Sequence, residues 1–118
     1  MSKPQFIYFN VYAKGEKIRV LLAHAKVDYD DIRLNDADFM QRKAAGEFNN
    51  GQVPVWLQNG KQYNESSAIL RFLGKQYGYY PADPDQAWQS DAIVDYCNDV
   101  QRKLYADHMN KKFDQEAK

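Results

Sequence analysis

Residues 51–67 read Gly-Gln-Val-Pro-Val-Trp-Leu-Gln-Asn-Gly-Lys-Gln-Tyr-Asn-Glu-Ser-Ser, and they restrict the backbone more tightly than any other part of the chain. Val53, Val55 and Leu57 alternate at the period of a half-buried strand. Asn59-Gly60 behind them is a strong signal for a two-residue hairpin turn. A second strand over 61–63 is therefore expected to pair antiparallel with the first. Glu65 or Ser66 then opens a helix whose first N–H groups and positive dipole end face outward. A helix start of that kind receives a carboxylate or phosphate.

Upstream, residues 5–11 form an aromatic and branched strand that gives way to a loop-like interruption, Asn10-Val11-Tyr12-Ala13-Lys14-Gly15. Ile18, Leu21, Leu22 and Ala25 then recur at helical spacing, which leaves Lys17, Arg19 and Lys26 for the opposite, solvent face. A second strand is expected over 27–34. Strand, helix and strand over about thirty residues make a right-handed crossover unit with parallel strands. Asn35 caps a further helix, with Asp38 three residues on, and Gly46 stops it. Residues 47–51 are a polar loop. Beyond the hairpin, Ile69, Phe72, Leu73 and Tyr77 line a helix that stops at Gly78. The order β-α-β-α-β-β-α implies a layered α/β domain with a mixed four-stranded sheet.

Residues 78–82 read as a linker. Asp83-Pro84-Asp85-Gln86 then restarts a helix with a capping residue, an N-terminal proline and a closing glutamine. Nothing breaks that helix before about Phe113, so it is at least about three dozen Å long at ~1.5 Å per residue. Trp88, Ile93, Tyr96, Cys97, Val100, Leu104 and Met109 form its apolar stripe, which the small first domain cannot cover alone. Other helices, in a continuation of the chain or in a partner, are expected there.

Length and charge narrow the function classes. A chain of 118 residues holds one ordinary domain, or a small domain and part of another. Sixteen basic and sixteen acidic side chains balance, which disfavours bulk-charge binding to nucleic acid or membrane surfaces. No run is long enough to span a bilayer, and Met1 is not followed by a secretory apolar segment. A single cysteine, Cys97, excludes an internal disulfide framework and suits a reducing, cytosolic compartment. The end of the first strand, 10–14, holds no cysteine, so thiol–disulfide exchange by the chain's own thiol is not expected there. Cys97 itself reads as a buried small hydrophobe. Any sulfur chemistry therefore needs a thiol ligand. Tyr8, otherwise a packing residue, is the group that could act on one.

Tyr8-Phe9-Asn10, Glu16-x-x-Arg19, Ala37-Asp38, Val53-Pro54, Glu65-Ser66-x-Ala68-Ile69 and Asp91-Ala92-Ile93-Val94-Asp95 together resemble the cytosolic glutathione S-transferases in order and spacing. The sigma class, which includes the glutathione-dependent prostaglandin D synthases, is the nearest pattern, and the resemblance runs from about Gln5 to Tyr105. It implies a thioredoxin-like, glutathione-binding domain over 1–80. Residues 81–118 would be the linker and first helix of a truncated all-α C-terminal domain.

The resemblance also implies residue roles. The Tyr8 hydroxyl would donate a hydrogen bond to the sulfur of glutathione, the co-substrate. A free thiol titrates near ~8.5, and a hydrogen bond to a charged acceptor contributes about 1.5–3 kcal/mol. At about 1.36 kcal/mol per pH unit, one such bond lowers the thiol pKa by roughly one to two units. Gln52 and the Val53 backbone would lie along the tripeptide, with Pro54 in a cis peptide. Its γ-glutamyl carboxylate would sit at Ser66 and its ammonium at Glu65; plain helix capping is the alternative role of those two residues, and the two roles are compatible. Lys43 and position 39 would hold the glycyl carboxylate, but Phe39 stands where the pattern has a donor-bearing tryptophan. Lys14 stands where it has an arginine, exchanging a planar fork for a point charge. The loop before Gln52 is two residues longer than in the pattern.

On the long helix Asp95 and Asp99 share a face, which on its own reads as a solvated polar surface. In the family the residue matching Asp99 reaches the γ-glutamyl group bound by the other subunit of a dimer. Asn98 replaces a carboxylate that could join a cation site, so no metal is expected, and His24 and His108 read as surface residues. The activity implied is attack of the glutathione thiolate on a small electrophile, by conjugation or isomerisation. The alternative is a non-catalytic interaction subunit that docks through the 85–113 helix.

Overall fold

The computed structural model describes residues 3–116, and the side chains of Met109 and of residues 112–116 lie outside that description. The chain divides into two compact units, Met1–Tyr79 and Tyr80–Lys118.

The first unit is built from β1 (Gln5–Phe9), α1 (Ala13–His24), β2 (Asp30–Leu34), α2 (Asp36–Ala44), β3 (Val55–Gln58), β4 (Lys61–Asn64) and α3 (Ser66–Gln76). They form one sheet of strand order β2-β1-β3-β4. β1 runs parallel to β2, with Ile7 opposite Ile32, and antiparallel to β3, with Phe6 opposite Trp56. Asn59 and Gly60 both adopt positive φ, 53° and 77°, as the tight hairpin between β3 and β4 requires.

Period-two alternation sorts the strands onto two faces. Phe6, Tyr8 and Trp56 point to one, where Ile18 and Leu22 of α1 and Ile69 and Leu73 of α3 close a core. Ile7, Leu34 and Val55 point to the other, packed with Phe48 and with Phe39 of α2. The sheet therefore has helices on both sides, as the pattern implied. Asn35 caps α2 by accepting the Asp38 N–H at 2.8 Å, and Gly46 beyond its end has φ +76°.

Several boundaries differ from the sequence reading, each for a local reason. β1 ends at Phe9 instead of residue 11, because the carbonyls of Phe9 and Val11 turn to the Arg19 guanidinium. α1 begins at Ala13, so Lys14 and Gly15 are helical and not loop. Its buried positions are Gly15, Ile18, Arg19 and Leu22, a stripe rotated from the one based on Leu21 and Ala25. Arg19 is thus only 6% exposed instead of solvated. β2 starts at Asp30, since Lys26 takes φ +55° and Val27 still bonds back to Leu22. β3 starts at Val55 rather than Val53, and the Val53–Pro54 peptide is cis.

In the second unit α4 (Pro84–Glu116) is one continuous helix, begun by the Asp83 carboxylate accepting the Gln86 N–H at 3.0 Å. Trp88, Ile93, Tyr96, Val100, Leu104 and Tyr105 are exposed along it. Cys97 is exposed too, against the expectation of a buried thiol, because among the described residues its unit holds no second helix to cover that face. Met109, the last position of the expected stripe, lies outside the described side chains. No helix among the described residues is long and apolar enough to cross a membrane.

Candidate functional site

Tyr8, the residue expected to act on a thiol, stands in β1 of the first unit. Its ring is 5% exposed, and its hydroxyl oxygen accepts the backbone N–H of Lys14 at 3.2 Å. That N–H belongs to the first turn of α1, where amides have no partner within the helix. Gly15 makes the approach possible: a Cβ there would stand 2.8 Å from Cε2 of Tyr8, inside van der Waals contact. Burial pushes the Tyr8 hydroxyl above its ordinary value, against the Lys14 N–H, the Arg19 guanidinium and the Gly15 N–H, which pull it down. Burial is the larger effect, so the phenol keeps its proton at neutral pH. A phenol that accepts from the backbone still has that proton to donate.

Arg19 fixes the loop that carries these groups. It donates to the Phe9 carbonyl at 3.1 Å, to the Val11 carbonyl at 3.0 Å and to Asp31 at 3.2 Å. Its guanidinium carbon lies 5.3 Å from the Phe6 ring centre and 5.6 Å from that of Tyr8. Asp31 also accepts from Arg33 at 2.9 Å, and Arg33 in turn donates to Asn10 at 2.6 Å. Neither Arg19 nor Asp31 was singled out for the site by sequence. The i, i+3, i+4, i+7 spacing of Gly15, Ile18, Arg19 and Leu22 is the signal that could have found the arginine.

The other candidate residues gather along the same rim. Lys17 donates to Ser67 at 3.5 Å, so the N-termini of α1 and α3 begin side by side, with Ser66 between Ser67 and Glu65. Glu65 has φ +71° and makes no capping hydrogen bond to α3, so plain capping is not the role of its side chain. Its Oε1 instead accepts from Asn50 at 3.4 Å. Asn50 Oδ1 accepts the Gln52 N–H at 3.2 Å. Val53 packs against both cores, beside the Tyr8 cluster. The Lys43 Cε would lie 3.6 Å from a Cβ on Gly51, which puts this lysine against the loop before Gln52. Lys43 is exposed, with its ammonium 5.7 Å from the Phe39 ring centre. Phe39 itself is occupied in packing, edge-on to Phe9 at 5.1 Å and stacked on Phe48 at 5.9 Å.

A cleft of about 580 Å³ opens where β1 and β2 end and α2 starts, and Phe9, Val11, Arg33, Leu34, Asp36 and Asp38 are among the residues that line it. Asp99 belongs to the second unit, where it is exposed and pairs with Arg102 at 3.1 Å, as a solvated polar face does. His24 is exposed and meets the Tyr79 hydroxyl at 2.5 Å, while His108 is exposed on α4.

A buried phenol in β1 held against the start of α1, with a Val-cis-Pro turn before β3, can be set beside known proteins. The sequence profile of the glutathione S-transferase N-terminal domain matches residues 4–75. A glutathione S-transferase of Anopheles gambiae is 35% identical over 97 residues, which is 82% of this chain and 47% of that protein. The hematopoietic prostaglandin D synthase of Gallus gallus is 34% identical over 99 residues, 84% of this chain and 49% of its own length. The crystal structure of monomeric Na-GST-3, a glutathione S-transferase from the hookworm Necator americanus, superposes with a TM-score of 0.80 at 30% identity. It covers 89% of this chain and 50% of the hookworm chain. The chain thus spans about half the length of the relatives it matches. With the profile matching residues 4–75 and the fold in agreement with the solved relatives, this chain belongs to the glutathione S-transferase family.

Proposed function

We propose that the chain binds glutathione along the rim of its first unit and activates the thiol for attack on an electrophile. The observation that carries this reading is Tyr8: a buried phenol, protonated at neutral pH, whose oxygen is satisfied by the Lys14 N–H at 3.2 Å. Its proton is directed by that bond toward a second acceptor, and a thiolate is the acceptor the family supplies. The thiol proton leaves to solvent as the anion forms, while Tyr8 keeps its own. The sulfur lone pair then makes the new S–C bond, and the electron pair of the broken bond leaves with the departing group or moves onto the electrophile.

Binding would use the termini of the tripeptide as handles. The γ-glutamyl carboxylate fits the start of α3 at Ser66, where helix N–H groups and dipole favour an anion. Glu65 offers a carboxylate to the ammonium group. Gln52 and the backbone of Val53 and Pro54 would lie along the cysteinyl part. Lys43 would meet the glycyl carboxylate without a donor from Phe39, and Lys14 would add positive charge near the sulfur. Asp99 would serve a second subunit in a homodimer. We assign the chain to the sigma class and to a detoxifying or isomerising role in the cytoplasm, on the six motifs and the prostaglandin D synthase relative.

Titrating the full chain with glutathione while following thiolate absorbance in the ultraviolet tests this. Bound glutathione should ionise roughly one to two pH units below the free thiol near ~8.5. In Tyr8→Phe that advantage should vanish, with thiolate at pH 6.5 falling on the order of tenfold or more. Full activation retained in Tyr8→Phe would remove Tyr8 from the mechanism, and no binding at millimolar glutathione would overturn the reading as a whole.

A further inference from the structure

The loop before Gln52, two residues longer than the pattern, is built around one side chain. Asn50 Oδ1 accepts both the Gln52 N–H at 3.2 Å and the Asn64 Nδ2 at 3.3 Å. Its Nδ2 donates to Glu65 Oε1 at 3.4 Å. One amide therefore ties together three segments: the loop, the end of β4, and the residue that starts α3. The rest of the loop is pinned independently. The Asn49 N–H donates to Gln62 Oε1 at 3.0 Å, the Gln62 amide donates back to the Glu47 carbonyl, and the Gly51 N–H bonds to the Phe48 carbonyl at 2.9 Å. Asn50 itself is exposed, so its bonds hold no core together.

Glu65 is the residue that most needs such a tie. At φ +71° and ψ 116° its backbone lies outside the regions that residues with a Cβ favour, and its carboxylate does not repay that by capping α3. Such an outlier on a ligand rim points to a functional constraint. A carboxylate can accept several hydrogen bonds, so one amide at 3.4 Å steers it while leaving capacity for a cation.

We propose that Asn50 is a positioning residue for the γ-glutamyl end of glutathione: it sets the spacing between the Glu65 carboxylate, which takes the ammonium, and the Gln52 backbone beside the peptide. This rests on the glutathione reading above. It assigns the longer loop a task in recognition, separate from thiol activation at Tyr8.

Asn50→Ala in the full chain tests the assignment against two thiols, glutathione and cysteinylglycine, which lacks the γ-glutamyl group. Glutathione should bind roughly tenfold more weakly, the low end for a lost hydrogen bond to a charged group, because the Asn50–Glu65 contact is long at 3.4 Å. Cysteinylglycine affinity should fall by less than glutathione affinity, through the lost tie to the Gln52 N–H alone, and the pKa of bound glutathione should stay as in the unsubstituted chain. Equal weakening for both thiols would mean a general disturbance of the loop and would overturn the assignment, as would unchanged glutathione affinity. If the unsubstituted chain does not bind glutathione, the broader reading fails and carries this one with it. If it binds and Asn50→Ala is indistinguishable from it, only the positioning role fails.

Discussion

Arg19 serves three acceptors while itself almost wholly buried: the Phe9 and Val11 carbonyls and the Asp31 carboxylate. A charge costs heavily to bury unless it is paired and hydrogen-bonded, and this one is both. The cost of removing it is easier to judge than its net worth. Arg19→Met keeps the bulk of the side-chain stem but leaves two carbonyls without their donor, at about 1–3 kcal/mol for each that stays dry. Asp31 fares better, since Arg33 still faces it at 2.9 Å. A loss of about 2–4 kcal/mol of unfolding free energy is expected in denaturant titrations. Arg19→Lys should recover only part of it, because an ammonium cannot present the planar fork that meets three acceptors. Stability unchanged in Arg19→Met would mean that water replaces the guanidinium at the β1–α1 turn.

The N-terminus of α1 is where glycine and tyrosine meet, and Gly15 is interior to that helix, not a boundary. An exposed helical Gly→Ala change stabilises by about 1 kcal/mol. Here the added Cβ would run into the Tyr8 ring. Gly15→Ala should therefore destabilise by about 1–3 kcal/mol, the usual cost of overpacking. It should also weaken thiol activation by moving the Lys14 N–H away from the phenol; paired melting curves and thiolate titrations would show both. The same contact explains what the sequence could and could not disclose. Element order, the hairpin at Asn59-Gly60 and the Asn35 cap follow from local chemistry, and local chemistry is legible in a string of residues. Tyr8, Glu65 and Ser66 were legible as site candidates through a family pattern. The phase of α1, the burial of Arg19 and the hub at Asn50 depend on partners distant in sequence: Ile18 and Leu22 pack with Trp56 and Ile69, Arg19 meets Asp31, and Asn50 meets Glu65. Glycine suggested a break because its close approach to Tyr8 exists only once the sheet is assembled.

At the scale of the whole chain, the two units are unlike in what they bury. The first closes two cores around its sheet, whereas the second is a helix of 33 residues, about 50 Å long, with an uncovered apolar side. Trp88 is 67% exposed, Ile93 64%, Tyr96 70% and Leu104 64%. Ile93, Tyr96, Val100 and Leu104 follow one another at three or four residues, so they form a continuous stripe on one side of the helix. Isolated exposed hydrophobes are ordinary, but a contiguous stripe is a contact surface. The 118-residue chain should consequently associate as its concentration rises, with a sedimentation coefficient that climbs across the micromolar range. Ile93→Asp combined with Leu104→Asp places two charges in the stripe, where any face-to-face contact would have to desolvate them. That double variant should sediment as a monomer at the same concentrations. Its helix content should stay near that of the unsubstituted chain, because Asp costs only a few tenths of a kcal/mol more than those residues at a solvated helix position. If the double variant still associates, the stripe through Ile93 and Leu104 is not the contact surface.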